Sequence, residues 1–230
     1  MMQVQVGRSF HLALMIAITA VVLYGFSHTV DADIIHPAQK QPLILYVHVA
    51  VFTTWLLVLM TQTALIWARN PRLHRTLGWC AVGFAAGLVA VGLATTVAMG
   101  RVQVERMGPE AGFFIYRPLA DVVFFCAAFG LAIHWRRRPD FHCRLMVLAA
   151  CALTPPAISR IPGVPTLSMV YLGTDLLVLA AILHDLVTLR RVHAVYRWGV
   201  GIGAAGQFAL LLVMSTRPEP FAAFAHFVTQ

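Results

Sequence analysis

Residues 113–161 read FFIYRPLADVVFFCAAFGLAIHWRRRPDFHCRLMVLAACALTPPAISRI, two long apolar runs on either side of the turn Arg136-Arg137-Arg138-Pro139. A helix needs about 20 apolar residues to cross a hydrocarbon layer roughly 30 Å thick, and each run is close to that length. Lipid offers a free backbone group no partner, so such runs must close their own hydrogen bonds as helices. The stretch therefore predicts a transmembrane hairpin. Pro155-Pro156 interrupts the ladder of the second arm and predicts a kink or break there.

Outward from this hairpin the same pattern continues to both ends of the chain. Seven spans are expected, near Ser9–His28, Pro42–Ala68, Thr76–Met99, Phe113–Trp135, Cys143–Ile161, Pro165–Leu189 and Tyr196–Met214. The expected fold is all-α: a polytopic bundle of about seven transmembrane helices, a single domain over residues 1–230. Composition agrees, with 60% apolar and 11% charged residues in 230. Soluble domains carry about 25% charged residues, so a soluble globule, a disordered chain and a disulfide-stapled scaffold are all excluded.

Loop charges set the expected orientation. Arg8, Arg69, Arg72, Arg75, Arg136, Arg137, Arg138, Arg144, Arg190, Arg191 and Arg197 fall on one side, against Asp140 and Asp185, for a net +9. Lys40, Arg101, Arg106, Arg117, Arg160 and Arg217 fall on the other with seven acids, for a net −1. The positive-inside rule puts the N-terminus in the cytoplasm. Span 1 lacks an A-x-A-like cleavage site near Gly25-Phe26-Ser27-His28, so it reads as a retained helix. The expected surroundings are the lipid bilayer and other membrane proteins, with no case for nucleic acid. Cys80, Cys126, Cys143 and Cys151 form no C-x-x-C pair and read as packing residues.

Three turns on the basic side resemble one another. Leu73-His74-Arg75-Thr76-Leu77, Phe141-His142-Cys143-Arg144-Leu145 and Val192-His193-Ala194-Val195-Tyr196 each open a descending helix with a histidine. Three helical hairpins on one plan, about 42–99, 113–161 and 165–214, with span 1 in front, account for this. His74 and His142 read either as interfacial residues that cap backbone groups or as ligands for a metal, haem or redox partner.

The segments His74-Arg75-x-Leu77-Gly78-Trp79 and His142-x-Arg144-Leu145-Met146 resemble motifs of uncharacterised bacterial inner-membrane families, in which paired H-R-x-L-G and H-x-R-L-M patterns open successive helices. The similarity covers about residues 40–200 and is distantly like cytochrome oxidase assembly-type membrane proteins. It implies a multi-helix bundle with a role in oxidase assembly or in haem or copper handling, and respiratory-chain proteins as partners.

Ionisable groups inside spans are costly and mark function. At about 1.5 Å per residue, His48 lies about 9 Å below the expected outer boundary, Asp121 about 12 Å and Asp175 about 15 Å, with Arg160 closing span 5 on that side. If His48, Asp121 and Asp175 converge, they form either a nitrogen and oxygen ligand sphere for a transition metal or a proton relay. Arg117 lies four residues before Asp121 and can instead pair with it. Asp175 has no local base, and Arg160 is its nearest candidate partner. His28 is a shallower outer candidate. At the inner ends His11, His134 and His184 offer an axial pair for haem b.

Other resemblances dissolve on inspection. Gly201-Ile202-Gly203-Ala204-Ala205-Gly206 matches G-x-G-x-x-G but lies within a span, with no strand before it. Lys40, in a loop, is the sole lysine, so no retinal Schiff base can form within a span. Three function classes stay open: a haem- or metal-binding redox or assembly protein, a small proton-coupled transporter, or a non-catalytic subunit.

Overall fold

The computed structural model describes residues 2–229, and among them it contains helices and connecting turns with no strand. Nine α-helices follow in order: α1 Met2–Ser27, α2 Leu43–Trp67, α3 Pro71–Met107, α4 Tyr116–His134, α5 Pro139–Ala152, α6 Pro155–Ile158, α7 Leu167–Leu189, α8 Ala194–Thr216 and α9 Glu219–Thr229. Seven segments are long and apolar enough to cross a membrane: Gly7–Ser27, Leu43–Trp67, Pro71–Met107, Pro109–His134, Pro139–Ile158, Leu167–Leu189 and Ala194–Thr216. The chain is a multi-pass membrane protein with an all-α bundle.

Helix ends follow local chemistry. Asn70 caps α3, its side chain accepting from the Leu73 amide at 3.2 Å, with Pro71 in the first turn. The helix then runs 37 residues to Met107, about 55 Å at 1.5 Å per residue and well beyond the hydrocarbon thickness. The apolar run alone ends near Met99, so hydropathy places this end too early. A 3₁₀ turn over Pro109–Ile115 leads from α3 into α4. The proline pair does break the fifth span: α5 stops at Ala152 and α6 is a single turn beginning at Pro155. Thr154, fully buried in the gap, donates to the Cys151 carbonyl at 2.8 Å and lies 3.1 Å from the Thr174 hydroxyl of α7. A hydroxyl thus replaces the lost ladder bond, as a break inside a membrane requires.

Packing centres on Trp55, which stacks on Phe84 and meets Phe125 and Phe129 edge-on. Leu88, Phe125, Cys151 and Tyr196 are almost wholly buried around it. At Gly25, α1 crosses so close to α6 that a Cβ would run into the Ala157 carbonyl. The α2–α3 and α4–α5 pairs are close antiparallel hairpins, whereas α8 touches α4, α5 and α7 lightly and is the most exposed span. α9 folds back over the 3₁₀ turn, held by the Tyr116 hydroxyl donating to the Phe221 carbonyl at 2.7 Å and by an Arg217–Glu110 ion pair.

Candidate functional site: a polar pocket at the arginine-poor end

Where α3, α4, the α5–α6 break and α7 meet, at the end away from the arginine-rich turns, they leave a pocket of about 240 Å³. Its polar lining is Thr96, Gln103, Arg117, Asp121, Ser159, Arg160 and Tyr171. Each arrives for a local reason. Arg117 and Asp121 share one face of α4, four residues apart. Arg160 lies two residues past the end of α6, so the break that ends α5 delivers it to the pocket. Pro155 and Pro156 themselves line the wall.

The expected Arg117–Asp121 pair does not close, since no ion pair within 4 Å joins them. The Arg117 guanidinium lies over the Phe114 ring instead, 4.9 Å from its centroid, and its buried Nε has no hydrogen-bond partner. Asp121 is 8% exposed and lines the pocket, and among the described residues none makes a hydrogen bond to its side chain. Arg160 turns toward α1 rather than toward Asp175. Its Nε donates to the Thr29 hydroxyl at 3.1 Å, another nitrogen donates to the Pro156 carbonyl, and the guanidinium sits 4.6 Å over Phe26. Burial lowers the pKa of Arg160 from its ordinary value, and Asp33 works against that shift. The pocket thus gathers two guanidinium groups, one buried carboxylate and a phenol.

The other predicted residues fall elsewhere. His48 stacks on Phe52 at 4.0 Å with its buried Nδ1 unpartnered, and does not line this pocket. Asp175 lines a larger lateral cleft, which Asp121 and Tyr171 also border, and there the Gln207 amide of α8 donates to it at 3.0 Å. His28 is exposed beside Tyr24. Among the described residues no group of three or more His, Cys, Asp or Glu side chains could hold a metal ion.

At the basic end the repeated histidines act on their own hairpins. Nδ1 of His142 lies 2.9 Å from the Ala132 carbonyl, and that of His74 lies 3.3 Å from the Gln62 carbonyl, each near the close of the preceding helix. The two rings stand 6.2 Å apart, edge to face. The third histidine departs from the plan: His193 accepts from the Val195 amide and caps α8, with Nε2 3.6 Å from Asp140.

An ion pair that sequence reasoning missed lies beside them, next to the expected His11 and His184. Arg144 grips Asp185 with two bonds of 2.7 and 2.6 Å, and both side chains are buried. His184 stacks on Phe10 at 3.8 Å, and its ring is 6.1 Å from that of His11. Read along the chain, Asp185 is a lone acid at a helix end. The usable signal was its place among apolar residues of span 6, opposite the arginine that opens span 5. No protein family, curated protein or solved structure matches the chain.

Proposed function

We propose that this membrane protein is a small proton-coupled carrier whose substrate is a small anion, admitted at the arginine-poor end and bound between Arg117 and Arg160. The single observation that carries the reading is Asp121, a buried carboxylate without an ion pair that lines a polar pocket at a broken helix. Secondary transporters bind substrate where helices are discontinuous, because the break frees polar backbone and gives a hinge. At about 240 Å³ the pocket is smaller than the roughly 300–1,000 Å³ of drug-sized sites, which suits a solute of few heavy atoms. Two guanidiniums attract the anion. Asp121 takes a proton when the anion is present and releases it when the anion leaves, so charge at the buried site stays balanced.

The test is uptake into proteoliposomes holding a pH-sensitive dye, with labelled acetate, lactate and phosphate as probes and an imposed pH gradient. Expected is saturable uptake of at least one probe with dye acidification, at least tenfold reduced by Asp121→Asn and by Arg117→Gln. Uptake no faster than in empty liposomes for all three probes, or unaffected by Asp121→Asn, overturns the reading.

A second reading keeps haem b or a transition metal at the basic end, serving redox or oxidase-assembly work in the inner membrane. It is favoured by two imidazole pairs, His74 with His142 and His11 with His184, each with ring centroids about 6 Å apart, since axial haem ligands come from such facing histidines. An absorption spectrum from 380 to 600 nm, oxidised and reduced, together with metal analysis of the purified protein, decides it.

A further inference from the structure

At 11 residues, about 17 Å, α9 is too short to cross the roughly 30 Å of hydrocarbon. It nevertheless starts where a span has just finished. α8 runs 23 residues to Thr216, about 35 Å, so its end lies at the membrane boundary. Arg217, in the left-handed region at φ +46°, then turns the chain back, and its ion pair with Glu110 pins the turn. α9 is thus delivered to the level of the lipid–water boundary at the arginine-poor end.

At about 100° per residue its side chains fall on three faces. Ala225 and Thr229 are buried against α3 and the 3₁₀ turn, where Gly100 and Gly112 have no side chain to hold them off. A Cβ on Gly100 would come within 3.1 Å of the Thr229 methyl. Phe221, Phe224 and Phe227 form a row on the second face, and Phe227 is 79% exposed. Glu219 and His226, both exposed, point about 150° away from that row.

We propose that α9 lies in the lipid–water interface as an amphipathic anchor, with the bilayer surface as the partner of its phenylalanine row, and that it braces the wall of the polar pocket from behind. Position chooses the occupant. Rings at a membrane boundary dip into the acyl region while the opposite, polar face stays in water, as in other interfacial helices. Lipid needs no recruitment, because it already surrounds the exposed faces of the span from which α9 turns back. The brace follows from what lies beneath the helix. Gly100 and Ile115 line the pocket, and Thr229 lies against Gly100. The hydroxyl of Tyr116, next to Arg117, donates to the Phe221 carbonyl at 2.7 Å. Lipid contact on one face of α9 is therefore passed to the pocket wall on another. This inference stands apart from the carrier reading, since it holds whatever the pocket binds.

The experiment uses the whole chain in phosphatidylcholine nanodiscs, with a fluorescent amino acid placed at position 224, 227 or 226, one at a time. At 224 and 227, lipid with a doxyl group at carbon 5 should quench more than lipid with the group at carbon 16. Aqueous iodide should quench those two sites at least fivefold less than site 226. Equal iodide quenching at all three sites places the rings in water and overturns the proposal. Stronger quenching from carbon 16 places α9 in the membrane centre and overturns it too. Shielding from iodide and from both doxyl lipids overturns it in favour of protein contact, which crosslinking between two chains assigns to a second copy. The brace is read separately, by amide exchange in Phe224→Ser combined with Phe227→Ser. Residues 109–115 and 219–229 should exchange at least tenfold faster, while α2 and α5 keep wild-type rates. Unchanged exchange over 109–115 overturns the brace. Acceleration that includes α2 and α5 assigns the rings to bundle packing and overturns the anchor.

Discussion

The two ends of the bundle use the same pair of side chains for opposite purposes. At the basic end Arg144 and Asp185 are buried and locked by two short bonds. At the arginine-poor end Arg117 and Asp121 share a helix face yet make no ion pair, and both line an open pocket. A closed, desolvated pair has spent its electrostatic energy on joining two helices. An open pair still has that energy to offer a ligand. The contrast teaches that partner geometry, rather than residue type, separates a structural charge from a functional one.

Removing one half of the closed pair is the strongest way to test this contrast. Asp185→Leu leaves the Arg144 guanidinium buried and unpaired, and should cost roughly 3–5 kcal/mol, read as a large fall in melting temperature in detergent. The double variant Arg144→Met with Asp185→Leu should recover most of that loss. If Asp185→Leu melts like wild type, the clamp is no clamp. At the other end Asp121→Asn should leave the melting temperature close to wild type while uptake fails. A variant that lost stability there instead would erase the distinction between the ends.

A smaller effect is expected where α1 supports the broken helix. Gly25→Leu places a side chain against the Ala157 carbonyl, and overpacking of this kind costs about 1–3 kcal/mol. Because α6 carries Arg160 into the pocket, uptake should fall along with stability, unlike the clean loss from Asp121→Asn. The smallest effect concerns pH at the basic end. Burial, helped by Arg144, lowers the pKa of His193 below its ordinary 6.5, against the opposing pull of Asp140. Between that lowered value and 6.5 the undocked turn binds more protons than the docked one. Docking of the α7–α8 turn therefore holds above pH 6.5 and weakens as pH falls below it. Amides of residues 190–195 should exchange faster at pH 5.5 than at 7.5, after correction for intrinsic rates. His193→Asn, which keeps a capping group and loses the titration, should remove the difference.

Much of the architecture was legible because its signals are local. Each span is written as an apolar run of the right length, and the break after Ala152 as a proline pair. The start of α3 was not read from its cap: the helix begins at Pro71, five residues before the Thr76 at which the apolar run opens. The candidate site was legible only in its ingredients. Asp121, Arg160, His48 and Asp175 stand out as charges or imidazoles inside or beside spans. Their grouping depends on helix rotation and crossing, which apolar composition leaves undetermined when a span is hydrophobic all round. Hence Arg160 was matched with Asp175 but turns to Thr29, and Asp175 finds Gln207, 32 residues away, a neutral residue that charge counting passes over. Arg144 and Asp185, 41 residues apart, were likewise counted as loop charges.

By itself, the sequence determined that this chain is a helical membrane protein, how many times it is long and apolar enough to cross, where the fifth span breaks and which few polar groups lie at depth. These follow from one-dimensional quantities: run length, hydropathy and proline chemistry. Only the tertiary structure decided that Asp121 faces an open pocket, that Asp175 shares a lipid-facing cleft with Gln207, and that Arg144 spends its charge on Asp185. Those outcomes depend on distances of a few ångströms between helices far apart in the chain, and electrostatic and hydrogen-bond energies are decided at that range.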